Sequence, residues 1–181
     1  ELLPNYTLEK LMHGCFEEVG VPKCTAEELE YAAALKATYP PERDVPGIGA
    51  KFDAGIAKQV KALSENMTKP VYDFLMPQYS GEGFRPGSTD VGDVSWQTPT
   101  AQIEVAAWPA GVPGHSWQIV ACGKSSMAHK AMLCAGKVIA SAAIELLEQP
   151  ALLEKAKSEF KERSASGYVC PIEPDAVPIA L

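Results

Sequence analysis

The longest helical pattern in the sequence constrains the fold more than any other feature. Residues 125–149 read SSMAHKAMLCAGKVIASAAIELLEQ, with alanine and other small residues on nearly every helical face. A helix that is apolar around most of its circumference is normally buried, because it has no wide polar face to present to water. Small side chains also let a neighbouring backbone approach closely. We therefore expect residues 124–148 to form one continuous helix packed along a sheet.

Four other segments have helical patterns of ordinary length. The first begins with Thr7 as a candidate N-cap, and Gly20 marks its end. The second begins with a capping-box pattern, in which Thr25 is followed three residues later by a glutamate. The remaining two helices are predicted at residues 51–67 and from Pro150 to about residue 165.

Strand patterns are short and few. Residues 94–97 alternate in polarity, and residues 101–108 become continuously apolar at their end, as a buried strand does. An irregular loop rich in Gly, Ser and Pro is predicted at 77–92, and the loop GVPGHSW precedes a third apolar stretch at 118–122. Five helices with two or three strands predict an α/β fold, with helices packed on a mixed or parallel sheet. So few strands suggest part of a larger sheet.

Composition argues against two classes of partner. The net charge of −7, without a basic stripe in any segment, argues against a nucleic-acid surface. No apolar run reaches the roughly 18 residues of a membrane span, so no membrane partner is expected. The five cysteines are widely spaced and lack a CxxC pair, which fits reduced thiols in the cytoplasm better than a disulfide framework.

The three histidines differ in their surroundings. His13 lies in mid-helix beside an apolar stripe, which favours a structural or surface role. His115 lies in the GVPGHSW loop after a predicted buried strand, where ligands bind in open α/β sheets. It is therefore either a metal ligand or acid–base group, or a loop histidine bonded to the backbone. His129, near the start of the long helix, either lines a pocket or packs under the sheet.

Two aspartates, Asp90 and Asp93, lie in the segment GSTDVGDVSW. Aspartates beside glycines form turns through side-chain-to-backbone hydrogen bonds, which is the default interpretation. The same carboxylates could instead hold a cation or orient a ligating histidine. The sequence has no HExxH zinc motif, no phosphate-binding glycine loop and no nucleophile elbow, so no catalytic residue is predicted.

Residues 4–163 resemble a known family of enzymes. The segment GSTDVGDVSW, the HSW of the next loop and the long helix are similar to the zinc aminoacylase/carboxypeptidase-type amidohydrolases, in particular the aminobenzoyl-glutamate hydrolase branch. The segment NYTLEKLMHGCFEEVGVPKCTAEELEYAAAL is similar to the part that re-enters the catalytic domain after an inserted dimerisation domain. The resemblance implies that residues 1–181 are a single domain, the C-terminal portion of a partial metallopeptidase-like catalytic domain. The first half of that domain and the dimerisation domain are absent.

The resemblance also implies two divalent metal ions, Zn or Mn, in the full-length parent. The family's early His-x-Asp motif and its paired glutamates, one of which is the general base, have no match in this sequence. His115 matches the last metal-binding histidine, and Asp90 matches a position near the metal centre with a supporting role. Asp93 matches less firmly as a second supporting residue, and His129 is a candidate for the substrate pocket.

The implied function is metal-dependent hydrolysis of an amide, with an acyl-amino acid or dipeptide as substrate. The full-length parent is expected to be a homo-oligomer, such as a dimer. The chain alone is expected to be inactive, because most metal ligands and the general base are missing. The alternative is a non-catalytic subunit or remnant that acts as an association module.

Overall fold

The structure contains helices joined by irregular segments. The computed structural model describes residues 1–40, 54–79, 87 and 89–177. The elements of this part of the chain are α1 (Tyr6–Val19), α2 (Ala26–Lys36), α3 (Ala54–Glu65), α4 (Val91–Ser95), α5 (Trp117–Cys122), α6 (Ser126–Glu148) and α7 (Pro150–Arg163). The described residues include no strand, so the predicted α/β fold with a mixed or parallel sheet is wrong.

The long helix is confirmed as one continuous element, α6. The Ser125 hydroxyl caps it by accepting a hydrogen bond from the backbone N–H of Ala128 at 3.2 Å. Its buried residues recur every three or four positions and form one stripe: Met127, Ala131, Cys134, Val138 and Ala142. The helix packs on α1 and α7 instead of the expected sheet.

The cap of α1 differs from the predicted one. Asn5, not Thr7, is the N-cap, and its side-chain oxygen accepts from the backbone N–H of Leu8 at 3.0 Å. The Asn5 amide also donates to the carbonyl of Ala156 in α7 at 2.9 Å. Asn5 is 2% exposed, so one buried side chain both starts α1 and ties it to α7. The predicted end of α1 is confirmed at Gly20.

Two apolar clusters form the core. The first joins α1 and α6 through the buried residues Cys15, Phe16, Cys134, Val138 and Ala142. The second joins α2, the segment after α3, α5 and the start of α6 through Ala32, Leu35, Val71, Cys122 and Met127. Both clusters include residues of α6, which is why this helix organises the fold.

The three predicted strand segments have other structures. Residues 94–97 lie in the last turn of α4 and the turn that follows it, and residues 118–122 belong to α5. Residues 101–108 contain no helix or strand, and Ile103 and Val105 pack against the α1–α6 cluster. A strand exists only where a neighbouring strand pairs with its N–H and C=O groups. No such neighbour occurs among the described residues, and an apolar pattern alone cannot provide one.

Other predicted boundaries are confirmed where they can be compared. The helix predicted at 51–67 corresponds to α3, although residues 51–53 lie outside the described part of the chain. Pro150 is the first residue of α7, and Thr25 forms the predicted capping box of α2. Of the loop predicted at 77–92, residues 80–86 and 88 lie outside the described part.

No helix in the described ranges is long and apolar enough to cross a membrane.

Candidate functional site

His115 occupies an unusual backbone conformation. Its φ angle is +55°, and it is the one non-glycine residue with a positive φ among the described residues. This left-handed region costs a residue with a Cβ atom roughly 1–2 kcal/mol, and such outliers concentrate at functional sites. The next residue, Ser116, caps α5, so the helix fixes the end of the loop. The His115 side chain is exposed and has no hydrogen bond or ion pair within the described part of the chain.

The two aspartates of the GSTDVGDVSW segment lie immediately before α4 and within it. Asp90 precedes the first residue of this short helix, but its side chain makes no capping hydrogen bond. Instead the Thr89 hydroxyl accepts from the backbone N–H of Val91 at 3.3 Å. Both aspartates are exposed. The side-chain-to-backbone hydrogen bond expected in this turn is therefore made by Thr89, and the Asp90 carboxylate takes no part in it.

Asp93 has a partner from a distant part of the chain. The hydroxyl of Tyr168, in the segment after α7, donates to Oδ1 of Asp93. The ring of Tyr168 also stacks on Trp96, with 5.8 Å between centroids and an angle of 28° between the planes. Sequence analysis missed Tyr168, because no local pattern connects residues so far apart.

The other two histidines lie on different helices. His13 on α1 makes a hydrogen bond from Nε2 to the carbonyl oxygen of Met76 at 2.8 Å, which supports the structural role predicted for it. His129 lies in the first turn of α6, and its side chain is exposed. Its backbone N–H donates to the carbonyl of Ser125 at 3.1 Å, and its imidazole makes no hydrogen bond to another described residue.

The structure does not bring the predicted site residues into a complete metal centre. Across the described residues, no group of three or more His, Cys, Asp or Glu side chains is placed to hold an ion. A structural zinc site has four ligands and a catalytic zinc site three protein ligands. His115, Asp90 and Asp93 are ligand types that zinc and manganese accept, but they do not amount to such a set.

A buried carboxylate, Glu28, joins α2 to the start of α6. Its Oε1 accepts from the hydroxyl of Ser126 at 2.6 Å, and its Oε2 accepts from Nζ of Lys130 at 2.8 Å. The backbone N–H of Thr25 donates to the same Oε2 at 2.7 Å. The hydrogen bond from Lys130, then those from Ser126 and Thr25, lower the Glu28 pKa to about 2. The capping-box pattern revealed the bond to Thr25 but not the bridge to α6.

A second carboxylate, Glu159 of α7, binds the start of α1. It accepts from the backbone N–H groups of Tyr6 at 2.7 Å and Thr7 at 2.9 Å, and from the Thr7 hydroxyl at 2.7 Å. Arg163 donates from Nε at 3.0 Å and lies over the Tyr6 ring. Burial raises the Glu159 pKa, but these hydrogen bonds outweigh burial and the pKa is lowered. A carboxylate with four donors is committed to structure and is not a candidate for catalysis.

The side of α6 opposite its buried stripe is apolar and exposed. Small residues at Gly136, Ala140 and Ala143 alternate there with large ones. The large residues are between 54% and 82% exposed: Met132, Leu133, Ile139, Ile144 and Leu147. An adjoining groove of about 480 Å³ lies between α1, the extended segment at 101–103 and α6, and its lining is mainly apolar. An exposed apolar surface of this kind is typical of a contact with another polypeptide.

Comparison with known proteins identifies a relative of this chain. No family model and no solved structure matches the chain. A subunit of the p-aminobenzoyl-glutamate hydrolase of Escherichia coli (strain K12) is 33% identical to it over 183 residues, which is 99% of this chain and 37% of the relative. The chain thus spans little more than a third of that relative's length. This match over nearly the whole chain confirms its resemblance to the aminobenzoyl-glutamate hydrolase branch of the amidohydrolases. The chain is homologous to part of a hydrolase subunit.

Proposed function

We propose that this chain is part of a metal-dependent amide hydrolase of the aminobenzoyl-glutamate hydrolase or dipeptidase type. The observation that carries the proposal is its 33% identity with the E. coli p-aminobenzoyl-glutamate hydrolase over 99% of the chain. The substrate that this name gives is an acyl-amino acid. We therefore propose an acyl-amino acid or dipeptide amide as the substrate class.

His115 is the proposed metal ligand of this chain. Its imidazole is exposed and is bonded to no other described residue, so its nitrogens are available to a cation. The loop holds it at a φ of +55°, and such strain is kept where a side chain must be presented in a fixed direction. Two bound divalent ions, Zn or Mn, would supply a polarised water for attack on the amide carbonyl.

The aspartates and His129 have supporting roles in this proposal. Asp90, immediately before α4, and Asp93, within it, lie three residues apart. A carboxylate at such a position can orient a ligating imidazole or balance the charge of a nearby cation. His129, exposed in the first turn of α6, would line the substrate pocket. There it could donate a hydrogen bond to a substrate carboxylate.

The chain alone should not turn over substrate. The described residues supply no cluster of three ligands. The two Glu-Glu pairs of the sequence, at 17–18 and 27–28, lie in α1 and α2, and neither is matched to the family's general base. We expect no hydrolysis of p-aminobenzoyl-glutamate or β-alanyl-lysine by the purified 181-residue chain with added Zn²⁺ or Mn²⁺. Turnover that a chelator abolishes and Zn²⁺ or Mn²⁺ restores would contradict this expectation.

The ligand assignment is tested by substituting His115 in a full-length hydrolase that contains this chain. We expect His115→Ala to lower metal occupancy and kcat together and to leave the far-UV circular dichroism spectrum unchanged. His129→Ala is the matched control, because it removes an exposed imidazole from a helix and should raise KM without lowering metal content. Metal stoichiometry by mass spectrometry decides the assignment. Full occupancy in His115→Ala together with loss in His129→Ala would reverse it.

The exposed face of α6 favours a second candidate function, association with another polypeptide of the same hydrolase. Its five large apolar side chains could be covered by such a partner, and the E. coli relative is named as one subunit of its enzyme. Ile139→Asp should then weaken assembly, whereas Lys137→Asp, beside this face, should not. Sedimentation velocity on the full-length hydrolase distinguishes the two variants. Equal assembly by both would exclude α6 as the contact.

The full-length hydrolase is proposed to be a cytoplasmic homo-oligomer. All five cysteines are free thiols, and three of them are buried in the core. Reduced thiols in these numbers fit a reducing compartment. Titration of thiols in the 181-residue chain, isolated under nonreducing conditions, should give five per molecule.

A further inference from the structure

The exposed face of α6 is apolar along most of the helix. Its outward positions recur with the helical period from residue 132 to residue 147, and all are exposed. None of them carries a polar or charged side chain: Met132, Leu133, Gly136, Ile139, Ala140, Ala143, Ile144 and Leu147. Five of these side chains are large, whereas the buried stripe has only two that are larger than cysteine, Met127 and Val138. The larger apolar side of α6 therefore faces away from the rest of the described chain.

Gly136 forms a notch in the middle of this face. A glycine inside a helix destabilises the helix relative to alanine, because it loses more backbone entropy on folding. A Cβ atom at Gly136 would meet nothing within 4 Å, so no described neighbour requires glycine there. Ala140, one turn later, is also small and exposed. The notch allows another backbone to approach α6 closely, and no described part of the chain does so.

The rest of the same polypeptide is the occupant that this face fits best. Nearly two thirds of the E. coli relative has no counterpart in this chain. Interfaces between proteins that also exist separately are only about as apolar as the rest of the surface, whereas a face without polar side chains resembles a domain core cut in half. The adjoining groove extends the apolar surface onto α1, where Leu8, Leu11 and Met12 line it.

We propose that the exposed face of α6 is an interior surface of the full-length hydrolase, covered by the part of the same polypeptide that has no counterpart in this chain. A backbone segment of that part lies in the notch at Gly136, and its apolar side chains fill the groove between α1 and α6. The inference goes beyond the proposed function, because it holds whatever reaction the hydrolase performs. A separate polypeptide is the competing occupant, and it predicts contacts between chains instead of within one.

The cover is tested by Gly136→Leu in two proteins, this chain and a full-length hydrolase that contains it. In the chain, the new Cβ has no neighbour and leucine favours the helix, so the folding equilibrium constant should rise about threefold. In the full-length hydrolase, leucine displaces the seated backbone, and the melting temperature should fall by roughly 5 °C. Lys137→Leu is the matched control, because lysine and leucine have similar helix propensities, and it should change neither protein. A full-length Gly136→Leu protein that is as stable as the unsubstituted one would overturn the inference.

Photo-cross-linking identifies the occupant. Photo-leucine, a diazirine analogue of nearly the same size, replaces leucine in the full-length hydrolase, and mass spectrometry locates the cross-links from Leu133 and Leu147. We expect these cross-links in the monomer-sized band of a denaturing gel, joined to peptides that are absent from this chain. Cross-links confined to a dimer-sized band would assign the face to a separate polypeptide, and no cross-links would leave it uncovered. Either result overturns the inference, whereas a hydrolase that turns over none of the proposed substrates would refute only the proposed function.

Discussion

Replacing Glu28 by glutamine tests how α2 is joined to α6. The Glu28 carboxylate is 7% exposed and accepts hydrogen bonds from Thr25, Ser126 and Lys130. Glutamine has the same shape and can keep its oxygen towards Thr25 and its amide towards Ser126. Glu28→Gln therefore removes the negative charge opposite Lys130 while leaving the packing of the two helices unchanged.

The size of the effect follows from the pKa of Glu28. The fall from 4.5 to about 2 corresponds to roughly 3.5 kcal/mol at about 1.4 kcal/mol per pKa unit. Lys130 is 38% exposed, and water screens its charge, so we expect about 2 kcal/mol at pH 7. Because the folded-state pKa is lowered, this stabilisation is present above pH 4.5 and is lost as the pH falls towards 2.

Urea unfolding followed by far-UV circular dichroism measures this difference. The control is Glu27→Gln, because Glu27 is exposed in the same first turn of α2 and bonds to no other described residue, so that its charge acts mainly through the helix dipole. The interaction of a first-turn carboxylate with the helix dipole contributes about 0.3–1 kcal/mol. The gap between Glu28→Gln and the unsubstituted chain should shrink between pH 4.5 and pH 2.5. If Glu28→Gln costs no more than Glu27→Gln at pH 7, the proposed bridge does not stabilise the fold.

Two further predictions concern α6 and the candidate metal ligand. Val138→Ala, at a fully buried position, should lower the free energy of unfolding by about 2 kcal/mol, whereas Ile139→Ala, on the exposed face, should change it by less than about 1 kcal/mol. Equal urea midpoints for the two variants would mean that the side of α6 carrying Val138 is not the buried one. His115→Gly should raise the melting temperature relative to His115→Ala, because glycine adopts a positive φ at less cost. A lower melting temperature for His115→Gly would mean that the loop is not strained.

The sequence predicted the five longer helices well because their signals are local, whereas the short helices α4 and α5 were not predicted. The capping box at Thr25, the glycine at the end of α1 and the proline at the start of α7 each act within one helical turn. These features were therefore predictable without the tertiary structure. The single buried stripe of α6 was not, because small and apolar residues on nearly every face predicted burial around most of the helix.

The sheet was wrongly predicted because a strand depends on a partner. Residues 101–108 have the apolar pattern of a strand, and two of them do pack on the core, but their polarity says nothing about what pairs with their backbone. Residues 94–97 alternate in polarity over too few positions to distinguish a strand from a short helix. Long-range contacts such as Tyr168 on Asp93 leave no local pattern at all.

The candidate site residues differ from the structural ones in how their polar atoms are used. Among the described residues, no buried side-chain nitrogen or oxygen lacks a hydrogen-bond partner, and the carboxylates of Glu28 and Glu159 have their oxygens occupied. His115, Asp90 and His129 are exposed, and their side chains bond to no other described residue. No hydrogen bond of these three side chains stabilises the described part of the fold, and at His115 the backbone is held in a costly conformation. Substitutions at Glu28 and Glu159 therefore test folding, while His115→Ala and substitutions at Asp90 and His129 test the proposed binding of a metal or substrate.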